Sequence, residues 1–188
     1  MLCLAAPALA QPVTADDMVL GSANAKVTVI EYASLSCPHC AAWNRDVWPA
    51  FKAKYVDTGR VRFVYREFIT APPELAAGGA LLARCAGKDK YFEVVDGVFA
   101  AQPEIYRRRN LEGPFTAIAA KAGMSKAQLD ACLSDQGALQ ALYGRVESYA
   151  NLGQIEATPT FVVNGTKLPG EQTLEKLDAA IAAAQAGK

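Results

Sequence analysis

The sequence holds a single histidine, His39, and that scarcity closes several routes at once. A Ser–His–Asp hydrolase would have to recruit this one imidazole, which is squeezed between two cysteines. A structural zinc site of two cysteines and two histidines lacks its second histidine, and a four-cysteine site lacks a second C-x-x-C. A bias in charge is missing too, since nineteen basic residues face nineteen acidic ones. Neither a nucleic acid nor a membrane surface therefore has an electrostatic footprint to bind. The one basic run, Arg107-Arg108-Arg109, reads as a solvated loop or helix end. No apolar stretch approaches the roughly 20 residues that span a bilayer. Internal repeats and Gly/Ser-rich linkers are absent as well, so nothing suggests a tethered second module.

What remains is a chain of 188 residues, 52% hydrophobic, long enough for one core with an insertion. Residues 1–10, Met1 to Ala10, are apolar and uncharged and end in Ala8-Leu9-Ala10. Small residues at those positions fit a signal-peptidase site with Gln11 as the mature start, so residues 1–10 read as the remnant of an export signal. The five cysteines are Cys3, Cys37, Cys40, Cys85 and Cys132. Cleavage would remove Cys3 and leave four, an even number that suggests two pairs in an oxidising compartment.

Val27 to Ala33 is β-branched and apolar, as a strand buried on both faces should be. The segment from Pro38 to about Tyr55 reads as a helix with Trp43, Val47, Phe51 and Tyr55 on one face, kinked at Pro49. Val61 to Ile69 alternates like a second strand, and strand–helix–strand of this length predicts a parallel crossover. From Glu74 to about Gly153 the pattern is helical, with segments 75–86, 91–101, 115–122, 126–133 and 139–152. Ser125 and Gln128 form a capping-box pattern ahead of the fourth. Strand signals return at Thr160–Val163, and Asn164-Gly165 predicts a tight hairpin into Thr166–Leu168. A last helix carries Leu174, Leu177 and Ile181. The expected divisions are 11–71 and 157–188 as two parts of one α/β domain, with 72–156 as an all-helical insertion.

The chemistry-bearing motif is Cys37-Pro38-His39-Cys40, between a buried strand and a helix start. Unpaired backbone N–H groups and the helix dipole favour negative charge on the first sulfur, and the thiolate is the reactive species. Two-residue spacing sets Cys40 within reach for a disulfide, more buried and less acidic than Cys37. The charge and ring N–H of His39 are expected to stabilise the neighbouring thiolate; the other reading is a solvent-facing helix residue. Thr158-Pro159 precedes a strand and is a candidate cis peptide.

The segments Val29-Ile-Glu-Tyr-Ala-Ser-Leu-Ser-Cys-Pro-His-Cys40 and Ala157-Thr-Pro-Thr-Phe-Val-Val-Asn-Gly165, with helices between them, resemble the DsbA-like thiol–disulfide oxidoreductases. The resemblance runs from about Asp16 to Ala186. It implies a thioredoxin-like fold with a helical insertion, and donation of the Cys37–Cys40 disulfide to reduced exported polypeptides. Pro159 would be the cis-proline facing the site, and Glu31 the buried carboxylate that helps move a proton to or from Cys40. Cys85 and Cys132 would form a structural disulfide; the other reading is two free buried thiols. A quinone-linked membrane partner would re-oxidise the pair in the periplasm, with no cofactor or metal. Thr158 resembles the residue of disulfide isomerases, where the best-known oxidase has valine, so an isomerase or reductase remains the alternative. A copper- or zinc-carrying module and an inert structural domain stand behind it. Nothing ahead of Val27 reads as a dimerisation segment, so a monomer is expected.

Overall fold

The computed structural model describes residues 12–187. The export-signal reading of residues 1–10, and Cys3 with it, lies outside the described residues. Strands β1 (Met18–Gly21), β2 (Val27–Ala33), β3 (Val61–Glu67), β4 (Thr160–Val163) and β5 (Thr166–Pro169) form one sheet in the order β1-β3-β2-β4-β5. Strands β2 and β3 run parallel, whereas β1–β3, β2–β4 and β4–β5 are antiparallel. Val27, Val29 and Phe161 have no exposed surface, as the unbroken apolar reading of the central strands requires. Asn164 (φ 43°) and Gly165 (φ 92°) both take left-handed backbone, which is the geometry an Asn-Gly hairpin turn demands.

Between β2 and β3 lie α1 (Pro38–Asp46), α2 (Trp48–Phe51) and a π-helical turn, Lys52–Val56. The single kinked helix expected to Tyr55 is thus three pieces, and the break falls at Val47, ahead of Pro49. Pro49 has no N–H for the Arg45 carbonyl four residues back and its ring crowds that oxygen, so the chain yields there. The apolar face survives the break. Trp43 packs on Phe161 with ring centroids 4.7 Å apart, and Trp48 on Phe63 at 4.5 Å.

Helices α3 (Pro73–Cys85), α4 (Tyr91–Arg108), α5 (Glu112–Lys121), α6 (Lys126–Ser134) and α7 (Gln136–Gly153) separate β3 from β4, and α8 (Leu174–Gln185) follows β5. Ser125 and Gln128 make both halves of the capping box on α6. The helices do not stand apart from the sheet: one apolar cluster runs from Val29 and Phe63 through Leu82 and Val98 to Phe115 and Leu129. Close approach at Gly79 permits this, since a β-carbon there would lie 2.9 Å from Leu35 beside the reactive cysteines. Helix α4 runs seven residues past the expected end at Ala101, straight through Pro103. Burial of Ile105 and the hydrogen bonds of Gln102 to the Leu35 and Cys37 carbonyls offset the hydrogen bond that the proline removes.

Candidate active site

Strand β2 ends at Ala33, and Ser34-Leu35-Ser36 turns the chain so that Cys37 caps α1. Cys37 has extended backbone (φ −83°, ψ 119°), and Pro38 occupies the first helical turn, where no N–H is needed from it. The turn is held from inside. The Cys37 N–H donates to the Ser34 carbonyl at 2.9 Å, and the Ser34, Ser36 and Thr70 hydroxyls form a buried cluster with contacts of 2.8 to 3.1 Å.

The two sulfurs differ as a redox pair requires. Cys37 is held at about 5, far below an ordinary thiol. The Cys40 thiol, pointing its S–H at the Cys37 sulfur, contributes most. Burial opposes this, while the Thr158 side chain and the backbone N–H groups of Cys40 and His39 add to it. Cys40 has no exposed surface, and its thiol is pushed far above the ordinary range by burial, by its donation to Cys37 and by the charge of Glu31. Both stand as free thiols. A stabilised Cys37 thiolate is a good leaving group, and it makes the disulfide form the stronger oxidant.

The peptide bond Thr158–Pro159 is cis, and the Thr158 carbonyl lies 3.4 Å from the Cys37 sulfur. Glu31 is 3% exposed, between Tyr65 of β3 and Phe161 of β4. Among the described residues its Oε1 has no hydrogen-bond partner. Burial first, then the charges of Asp96 and Cys37, raise its carboxyl well above the usual range. The structure therefore brings Cys37, Cys40, Glu31, Thr158 and Pro159 together.

His39 departs from expectation. Its side chain is 75% exposed and its Nδ1 pairs with Glu171 across the mouth of the site, so the ring is turned to another carboxylate. The backbone N–H of His39 faces the sulfur instead. Any residue but proline would supply that group, which is why the sequence pointed to the imidazole. Cys85 and Cys132 are joined as a disulfide that ties α3 to α6. The residues that sequence reasoning missed, Thr70 and the α4 pair Gln102 and Tyr106, reach the active-site turn from distant segments. No local pattern announces such side-chain-to-backbone contacts.

A dithiol at a helix start, one sulfur acidic and one buried, beside a cis-proline loop of a mixed sheet, defines a thioredoxin-fold dithiol protein. The family model described as thioredoxin matches residues 13–183. The chain belongs to that family. A putative protein-disulfide oxidoreductase of Rickettsia conorii is 32% identical over 167 residues, 88% of this chain and 59% of that protein. The chain thus spans under two thirds of that relative's length. Disulfide bond formation protein D of Bacillus subtilis is 26% identical, covering 82% of this chain and 70% of that protein. The crystal structure of Wolbachia pipientis alpha-DsbA1 superposes with a TM-score of 0.84 at 26% identity, over 93% of this chain and 94% of that one. Among the described residues no helix is long and apolar enough to cross a membrane.

Proposed function

We propose that this chain is an exported, periplasmic thiol–disulfide oxidoreductase that donates its Cys37–Cys40 disulfide to cysteines of folding exported proteins. The observation that carries the reading is the asymmetry of the pair, an acidic Cys37 against a buried, reluctant Cys40. In the oxidised protein a substrate thiolate attacks the Cys37 sulfur. The Cys37–Cys40 bond breaks, and Cys40 leaves and takes a proton, for which the buried Glu31 carboxyl is the nearby donor. A second substrate thiolate then attacks the substrate sulfur of the mixed disulfide and expels Cys37 as its stabilised thiolate. The substrate loses two electrons and two protons. The chain gains both electrons and one proton on Cys40, and the other proton goes to solvent.

The same reading takes 72–156 as an insertion within one domain, the chain as a monomer, and a quinone-linked membrane protein as the re-oxidant. It needs no cofactor. A second reading, an isomerase, rests on the resemblance of Thr158 to the residue of disulfide isomerases, since its lowering of the Cys37 thiol serves either reading. The test is Cys40→Ala. Without its resolving thiol the chain should accumulate as a covalent adduct with a cysteine-bearing unfolded protein, visible on a non-reducing gel and released by reductant. Absence of any adduct, with Cys37 accessible to alkylation, would remove the oxidoreductase reading.

A further inference from the structure

Three successive backbone carbonyls lead into the reactive sulfur, those of Leu35, Ser36 and Cys37, and two side chains of α4 hold all three. The Gln102 Nε2 group donates to the Leu35 carbonyl at 2.7 Å and to the Cys37 carbonyl at 3.3 Å. Tyr106, one turn further on, donates its hydroxyl to the Ser36 carbonyl. Both neighbours of the Gln102 amide are acceptors, so only its NH2 group can face them, and each of its hydrogens has a partner. Gln102 is 2% exposed, and a buried amide is costly unless satisfied in this way.

The grip falls where it matters for the sulfur. The Cys37 carbonyl that Gln102 holds also accepts the Ala41 N–H at 3.1 Å, the bond that opens α1. Rotation of that peptide would carry the Cys37 side chain away from the helix N–H groups on one side and from Thr158 on the other. Ser34, Ser36 and Thr70 hold the turn through their hydroxyls, while α4 holds its backbone carbonyls.

We propose that Gln102 and Tyr106 are positioning residues, through which inserted helix α4 holds the Cys37 sulfur in register with the donor groups of His39, Cys40 and Thr158. The proposal rests on Cys37 being the attacked and leaving sulfur. It makes the insertion part of the redox machinery as well as a cover for the sheet.

The test uses the full chain with Gln102→Met, which keeps length and removes both donors, and Tyr106→Phe, which removes one hydroxyl from a partly exposed ring. Titration of the Cys37 thiolate by ultraviolet absorbance, its rate of reaction with a small aromatic disulfide, and the thermal midpoint are read on each variant. Each substitution is expected to raise the Cys37 titration by about one unit, with about a tenfold smaller thiolate fraction at acidic pH. Variants that lose thermal stability while Cys37 titrates as in the parent would show a merely structural role and overturn the proposal. Should Gln102→Met not fold, Tyr106→Phe decides alone. A parent chain whose Cys37 titrates as an ordinary thiol counts against the functional reading itself. An acidic parent with unshifted variants counts against the positioning role only.

Discussion

The acidity of Cys37 makes reduction stabilising in a pH-dependent way, and the size of the effect follows from the site. A thiol in the unfolded chain titrates near 8.5, whereas in the folded, reduced protein Cys37 titrates at about 5. A group lowered on folding contributes stability that is complete above its unfolded value and is lost as pH falls through its folded one. At pH 7 about two units of that gap are in play, or about 2.7 kcal/mol; at pH 4 essentially nothing is. Solvent at the mouth of the site screens part of the effect and leaves about 2 kcal/mol. The oxidised protein has no Cys37 thiol to titrate. The stability of the reduced form relative to the oxidised form should therefore rise by about 2 kcal/mol between pH 4 and pH 7. Carboxylates titrate in both forms and cancel, apart from Glu31, whose carboxyl feels the Cys37 charge; Glu31→Gln controls for it. Urea unfolding of both forms at the two pH values gives the difference directly. In thermal scans it is about 4 to 8 °C for a chain of this size. A reduced-minus-oxidised difference that stays constant across this range would refute the assignment of the stabilised thiolate to Cys37.

Two further outcomes follow from named contacts. Thr158→Val keeps the shape of the side chain but removes its hydroxyl, and should raise the Cys37 titration by about one unit, as the loss of one hydrogen bond to a charged group implies; thiolate absorbance against pH checks it. Replacing Cys85 and Cys132 together by alanine opens a loop of sequence separation 47 and should cost about 4 kcal/mol in the chain-entropy account. Its signature is a lower urea midpoint with unchanged Cys37 titration, because that disulfide joins helices away from the redox pair.

The parts of the fold that were legible in the sequence are those fixed by neighbours in the chain. Strand β2, the C-x-x-C helix start, the α6 capping box and the Asn164-Gly165 turn each carry their own local signal. Strand β1 does not: Met18–Gly21 is short, and what makes it a strand is antiparallel pairing with residues 62–65 of β3. The end of α4 was hidden for a related reason. Pro103 argues locally for a stop, whereas contacts with the active-site turn and the core, made by Gln102 and Ile105, keep the helix going. At the site, the C-x-x-C spacing at a helix start points to Cys37 and Cys40, whereas Glu31, an acid inside an apolar strand, is singled out through the family resemblance. The stabilising donors were harder to read, since most are backbone groups whose direction only the fold sets. His39 illustrates this, its imidazole paired with Glu171 while its peptide N–H serves the sulfur.

The central claim, that Cys37–Cys40 is built to give its disulfide away, is tested most directly by the reduction potential of the pair equilibrated with glutathione at pH 7. A stabilised Cys37 thiolate predicts a potential well on the oxidising side of the glutathione couple, above about −200 mV. A value near that of thioredoxin, about −270 mV, would contradict the account and place the chain among reductants.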